Sequence, residues 1–392
     1  MSGFTKHKCE NDTFEAKKDI AKYLKVIAPL LPYEYDFEIV KSVLQRYYPF
    51  ELLIISQKEK YYRDKERSLI KHKKSRFTMF VSLDTMIKES NEYKKIMSLD
   101  YIQKRQVTFN ELLVEKSNHE FSVQRDPKII KRHTKIKKAL DKTQQVEPEF
   151  LDALMGLYDR KNTSQKDKVY ILIELEKYYC DKVLRFFSKV IDTELNRQLR
   201  EMAFSHFQSL GFQPTLRNQK YFVVKTNNKK RKTYLKKVYP YEKSNINAIP
   251  SELEYRIENN KEQKIKTYDY FISHSSADFE NVQALIKELN KKGENVYCDW
   301  INDTDYLKRH LVGNATLSVI LKRIAQSKEV IFVVSDNSLK SNWCKYELND
   351  IKKANKRLLF INNSDISNGC FDLKEYTDIW YVDENYKSLK LF

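Results

Sequence analysis

Apolar side chains recur every three to four positions through most of the first 211 residues, the period of amphipathic helices. The pattern is clearest over residues 14–31, 37–53, 101–116 and the long stretch 166–191. Asp192 and Thr193 offer an N-cap for a helix over 194–210, with Gly211 as its stop. Only Gly3, Gly156 and Gly211 precede residue 266, so few positions interrupt helix. Such a succession of helices suits an α-solenoid or a bundle, although no fixed-period repeat is visible. The pattern breaks after residue 214. Two short apolar runs, 221–224 and 233–235, flank a polar basic tip at 227–232 and predict a hairpin or mobile loop, and 241–265 is polar enough for a linker.

From residue 266 the period changes. Short runs rich in β-branched and aromatic residues at 268–273, 295–300, 330–335, 357–361 and 379–382 predict strands. Helical stretches lie between them, at 278–292 closed by Gly293, at 314–327 and at 342–353. Strands alternating with helices predict a parallel sheet covered on both faces, and ligands of such sheets bind beyond the carboxyl ends of the strands. The division expected is a helical module over 1–214, a basic hairpin and linker over 215–265, and an α/β domain over 266–392.

Charge sharpens that division. The 392-residue chain carries a net charge of +18, with 72 Lys and Arg against 54 Asp and Glu. Residues 266–392 hold 18 of each sign, so the whole excess lies in residues 1–265. Trp300, Trp343 and Trp380 all fall in the C-terminal part, and all eight prolines fall before it. No stretch has the length of a membrane span and the N-terminus lacks an apolar signal core, so a cytoplasmic protein is expected. The five cysteines are scattered without a CxxC, which argues against a zinc site and a disulfide framework.

Two segments offer chemistry. Ser273-His274-Ser275-Ser276-Ala277-Asp278 follows the first strand directly, and Ser275 with Asp278 resembles a capping box. Such a turn either only caps a helix or also turns free N–H groups toward a phosphate. On the helix after Ser341, Cys344, Leu348 and Ile351 share a face directed at the core, and Trp343, Glu347 and Asp350 form the neighbouring stripe. Glu347 is then held beside an apolar surface. A helical glutamate is ordinarily a solvated surface residue, so spacing alone decides little.

The combination decides more. The segment Tyr268-Asp-Tyr-Phe-Ile-Ser-His-Ser, the strand ending Cys298-Asp299-Trp300, and the run Ser341-Asn-Trp-Cys-Lys-Tyr-Glu-Leu348, in that order, resemble the Toll/interleukin-1 receptor (TIR) domain family over residues 266–392. The resemblance implies a flavodoxin-like, five-stranded parallel sheet. It implies one of two functions, a signalling scaffold or an enzyme that cleaves the nicotinamide–ribose bond of NAD+. In the enzymatic type Glu347 is the catalytic carboxylate. Phe271, Ser273, His274 and Ser275 lie near the adenosine and phosphates, Asp299 and Trp300 border the nicotinamide, and Trp343 forms an aromatic wall. NAD+ is then the substrate, with no cofactor and no metal. Residues 302–310 lack the Pro/Gly-rich loop of receptor-type members and look more like bacterial forms.

The expected function is therefore a regulated NAD+ hydrolase or ADP-ribosyl cyclase of bacterial antiphage defence, gated by the helical module. The alternatives are a non-catalytic TIR adaptor and a nucleic-acid-binding subunit of a defence complex. Expected partners are NAD+, further copies through the TIR domain, and nucleic acid or a companion subunit at the basic module. The basic tracts at 71–76, 131–138 and 229–232 (Lys229, Lys230, Arg231, Lys232) suit phosphate backbones, and equally suit a solvated helix face.

Overall fold

The computed structural model describes residues 3–72, 80–213, 243–308, 313–375, 380–382 and 389–391. The basic tip Lys229, Lys230, Arg231 and Lys232, with the hairpin expected around it, lies outside the described residues, as does most of the tract at 71–76. The described part forms two compact units, residues 1–137 with 208–215, and residues 138–207 with 216–392.

The first unit is helical. Its helices are Gly3–Ile27, Phe37–Tyr47, Pro49–Lys71, Leu83–Glu89, Asn91–Ile96 and Leu99–Thr108, followed by most of Glu111–Leu140. Their starts follow from local chemistry. The Asp36 carboxylate accepts from Ile39 N, and the hydroxyls of Ser82 and Ser98 accept from Thr85 N and Tyr101 N. Two of the long periodic stretches are split, at Tyr48-Pro49 and at Phe109-Asn110. A proline cannot donate within a helix and starts the next one at its first position. Ile20, Leu24, Ile27, Val40, Leu44 and Tyr47 lie at the centre of this unit's core.

The second unit holds the sheet, and more of the chain than composition predicts. Helices Phe150–Asp159, Gln165–Leu175, Asp181–Thr193 and Arg197–Ser209 come first. Asp192 and Thr193 form the last turn of the third of these, and Asn196 Oδ1 caps the fourth by accepting from Leu199 N. Buried residues of this layer, Leu154, Leu172, Phe187 and Val190 among them, share one core with Leu253, Ile257, Tyr306 and Val319. The boundary expected at residue 266 therefore falls inside a compact unit.

Seven strands are described: β1 Tyr268–Ser273, β2 Val296–Tyr297, β3 Ser327–Val334, β4 Leu358–Asn362, β5 Lys374–Glu375, β6 Trp380–Val382 and β7 Leu389–Leu391. The first five form one sheet in the order β2-β1-β3-β4-β5, in which β1, β2, β3 and β4 pair in parallel. The sheet is mixed, not wholly parallel, because β5 runs antiparallel to β4. Only the short helix Asn363–Ser367 and a turn through Gly369 (φ 76°) separate them, too little chain for a parallel crossover. The run expected to supply the fifth strand of this sheet, at 379–382, instead pairs as β6 with β7 in a separate two-stranded sheet.

Helices Phe279–Lys291, Asn314–Gln326 and Asn342–Lys353 cover the sheet. Gly293 (φ 88°) closes the first: Gly293 N donates to Asn290 O and Glu294 N to Leu289 O, satisfying carbonyls that the helix end leaves open. Among the described residues no helix is long and apolar enough to cross a membrane.

The edge strand β2 is completed from the helical layer. Val296 N donates to Gln144 Oε1 at 3.1 Å, and Gln144 Nε2 donates to Val296 O at 2.5 Å. One buried amide side chain thus serves both backbone groups of an edge residue, as a neighbouring strand would. Asn290 Nδ2 also donates to Gln144 Oε1. Replacing Gln144 by Ala strands these groups in the interior, at a cost of about 1–3 kcal/mol. Chemical denaturation should show that loss, and at alkaline pH Gln144→Glu should not recover it, because an ionised carboxylate cannot donate to Val296 O.

Candidate active site

The order β2-β1-β3 places the topological switch at β1, where the connections leave for opposite sides and a crevice opens beyond the strand ends. Ser273 ends β1 there, fully buried. The helix Asn342–Lys353 starts nearby, its first turn capped by Ser341 Oγ accepting from Cys344 N. Cys344, Leu348 and Ile351 are buried as expected, packed with Phe271, Tyr297 and Phe332, while Trp343 is partly buried at the margin. This leaves Glu347 half-buried at the strand ends, where Ser273 Oγ donates to its Oε2 at 2.6 Å.

Desolvation dominates the electrostatics of Glu347. Burial pushes its carboxyl up to about 8; the Ser273 hydrogen bond lowers it, and the Asp299 charge raises it further. Without a ligand the group therefore carries its proton at neutral pH. A cation placed beside it would draw the proton off.

The opposite wall comes from the end of β2 and the loop after β1. His274 Nδ1 lies 3.1 Å from Ile272 O, and Trp300 Nε1 donates to His274 Nε2 at 3.1 Å. Those two bonds assign the neutral tautomer with hydrogen on Nδ1. Trp300 packs against Phe279 with ring centroids 4.4 Å apart, and Phe279 is 42% exposed. Asp299 is half-exposed and starts the short helix Asp299–Asn302. The fully buried Cys298 thiol lies 3.9 Å from His274 Nε2.

The sequence-predicted residues thus divide. Ser273 contacts Glu347 directly, and His274, Asp299 and Trp300 form a second group. Ser275 sits in the loop, accepting from Ala277 N. Phe271 is not at the site surface. It is 2% exposed, because it lies mid-strand, inward of Ser273 on the same face of β1, where it stacks on Tyr297.

Asp278 does not close a capping box with Ser275. It is buried and reaches across to the loop after β3, accepting from Ser335 Oγ at 2.5 Å and from Asn337 Nδ2 at 2.9 Å. That pair ties together the two loops flanking the crevice. Sequence reasoning missed this link, since no local spacing connects residues so far apart in the chain; it gave Phe279 no role and quoted Cys298 only as part of a strand-end motif.

Residues 271–389 match the TIR domain family. A protein of Cytobacillus dafuensis, provisionally named cyclic ADP-D-ribose synthase TIR2, is 36% identical over 97% of this chain and 98% of its own length. A Bacillus cereus protein, provisionally named 3' cyclic ADP-D-ribose synthase ThsB', is 36% identical over 22% of this chain and 44% of its own length. NAD(+) hydrolase TirS of Staphylococcus aureus is 26% identical over 55% of this chain and 75% of its own. No solved structure matches the chain at a significant level. With a relative aligned over nearly its whole length and the TIR motifs set around one crevice, the chain belongs to the TIR domain family.

Proposed function

We propose that this protein cleaves the bond between nicotinamide and ribose in NAD+, with Glu347 as the catalytic carboxylate. The observation that carries the reading is Glu347 itself, a desolvated carboxyl hydrogen-bonded to Ser273 at the switch point of the sheet. Nicotinamide in NAD+ is already a cationic leaving group. When the C1'–N bond breaks, the bonding electrons go to the ring nitrogen and the positive charge passes to the ribose as an oxocarbenium-like centre. An ionised Glu347 stabilises that charge, directly or through the ribose hydroxyls, and its apolar setting strengthens the attraction. Trp300 and Trp343 supply aromatic walls, and the loop Ser273–Ser275 lies toward the adenosine and phosphates.

Capture by water gives ADP-ribose and releases one proton. Capture by an adenine nitrogen or ribose hydroxyl of the same molecule gives a cyclic product. We favour cyclisation, since the relative aligned over nearly the whole chain is named for a cyclic ADP-D-ribose synthase. Residues 1–137 then act as the sensor or assembly module of an antiphage effector, self-associating to complete active sites.

The test is chromatography of nucleotides from cells expressing wild type or Glu347→Ala, with and without phage. Wild type alone should deplete NAD+ and accumulate a cyclic ADP-ribose, and phage should increase both. Unchanged NAD+ in every culture overturns the reading, and linear ADP-ribose as sole product overturns cyclisation.

A further inference from the structure

Beside Glu347, three side chains on the wall of the substrate pocket bring their donor atoms together. His274 Nε2, Cys298 Sγ and one Asp299 carboxylate oxygen all lie within 4.8 Å of one another. The separations are 3.9 Å from Cys298 Sγ to His274 Nε2, 3.9 Å from His274 Nε2 to Asp299 Oδ1, and 4.0 Å from Cys298 Sγ to Asp299 Oδ1. These atoms form a nearly equilateral triangle. Three corners of a tetrahedron around Zn2+, with bonds of about 2.0–2.3 Å, would stand roughly 3.4–3.6 Å apart. An inward shift of a few tenths of an ångström therefore converts the triangle into three zinc ligands, and Asp299 is exposed enough to make it.

The surroundings favour a cation. His274 is already oriented by its Nδ1 contact with Ile272 O, which leaves Nε2 turned into the triangle, as in metal-binding histidines whose other ring nitrogen donates to a backbone carbonyl. Imidazole, thiolate and carboxylate together are a borderline-soft set suited to Zn2+ and not to Mg2+ or Ca2+. Opposing binding are the Trp300 indole N–H, which occupies Nε2 at 3.1 Å, the Trp300 backbone N–H, which donates to Asp299 Oδ1 at 2.9 Å, and the burial of the Cys298 thiol, which raises its pKa. Binding a divalent ion displaces the indole and releases the thiol proton to solvent, while the second lone pair of Asp299 Oδ1 remains available to the ion.

We propose that His274, Cys298 and Asp299 form an inhibitory site for a zinc-class divalent cation, which switches the neighbouring catalytic pocket off. The inhibitory part rests on the proposed NAD+ cleavage; the site itself does not. Occupancy pulls the indole of Trp300 from His274, disturbs its packing on Phe279, and places a dipositive ion where the reaction develops positive charge on ribose. All three effects oppose cleavage. The fourth position of the tetrahedron stays open to water.

The test uses the full chain carrying Cys370→Ser, which removes an exposed thiol, and Co2+ as a spectroscopic stand-in for Zn2+. One equivalent should produce a thiolate-to-cobalt charge-transfer band and change tryptophan fluorescence. Cys298→Ser should abolish the band. Asp299→Asn, at an exposed position that leaves the fold intact, should weaken Co2+ binding at least tenfold. Stoichiometric Zn2+ should lower NAD+ cleavage tenfold or more, reversed by a chelator. The proposal is overturned by absence of the band, by a band that survives Cys298→Ser and Asp299→Asn unchanged, or by full activity with zinc bound. A chain inactive without metal that still shows the cobalt band would overturn the cleavage reading and leave the site standing.

Discussion

Replacing Glu347 by Gln should abolish NAD+ cleavage, by at least about 10²–10³-fold in kcat, while making the protein more stable. Both effects share one cause. A carboxyl pushed up to about 8 by burial is poorly solvated, so it stabilises cationic charge strongly in the transition state and penalises the folded chain when ionised alone. The sign of the pH dependence follows. The native state keeps the Glu347 proton up to about pH 8, whereas the unfolded chain loses it near the ordinary 4.5. Between those values the native state binds more protons, so this group's contribution to stability falls as pH rises and levels off above 8. Glu347→Gln removes that slope. Its advantage in thermal denaturation should be small at pH 5 and grow to roughly 2–4 kcal/mol by pH 8.

Activity should move the other way. For free enzyme, kcat/KM should climb about tenfold per pH unit from 6 toward 8 and then level, because only the ionised carboxylate binds the cationic substrate productively. The inflection in kcat should lie lower, since bound substrate carries the charge that favours ionisation. A flat kcat/KM between pH 6 and 8.5 would refute this account of Glu347. The Ser273→Ala profile gives an independent check: losing the 2.6 Å hydrogen bond should raise the inflection further.

What the sequence made legible was whatever depends on near neighbours. The stripe Cys344, Leu348, Ile351 reads directly from helical spacing, and Glu347 beside it follows with no further information. The strands β1, β3 and β4 read equally well as apolar runs. The end of the sheet did not, since 374–375 is a polar pair recruited by a short return of the chain, while the apolar 379–382 has another partner. Phe271 illustrates a different limit. Motif order places it near Ser273, and the two share one face of β1, but Phe271 lies mid-strand over the core while Ser273 ends the strand at the crevice. The domain edge illustrates a third limit. Charge and tryptophan content describe surfaces, whereas a boundary is set by which residues share a core, and Tyr306 shares one with Leu172.

That edge carries the second large effect. A fragment starting at residue 266 should fail to fold, whereas one starting at 138 should unfold cooperatively. Across the expected boundary runs a buried charged network. Lys266 Nζ donates to Glu174 Oε2 at 2.6 Å, Lys177 Nζ to the same oxygen at 2.8 Å, and Gln263 Nε2 to Glu174 Oε1 at 2.8 Å. Arg323 Nε donates to Asp303 Oδ2 at 2.8 Å, and another guanidinium nitrogen of Arg323 reaches Gln263 Oε1 at 2.8 Å. Burial opposes ionisation of Glu174, but Lys177 and Lys266 overcome it and hold the carboxyl at about 2. Burial likewise pulls Lys177 and Lys266 down, against the pull of the carboxylates. Cutting at 266 removes Glu174, Lys177 and Gln263 together and leaves Lys266 facing Arg323 without its carboxylate. Breaking one such buried partnership costs about 3–5 kcal/mol, against a typical domain stability of about 5–15 kcal/mol. Loss of the Gln144 contacts to β2 and exposure of Tyr306 and Val319 add to it. The site suffers as well, since Asp303 closes the turn that presents Asp299 and Trp300. Circular dichroism and thermal melts of the two fragments decide the matter. A cooperative melt from the fragment starting at 266 would show that the helical layer merely leans on the sheet. Within the full chain, Glu174→Gln should lower stability by several kcal/mol and reduce NAD+ cleavage from a position remote from the substrate, whereas Lys182→Ala, which breaks only the surface pairs with Glu147 and Asp152, should change neither.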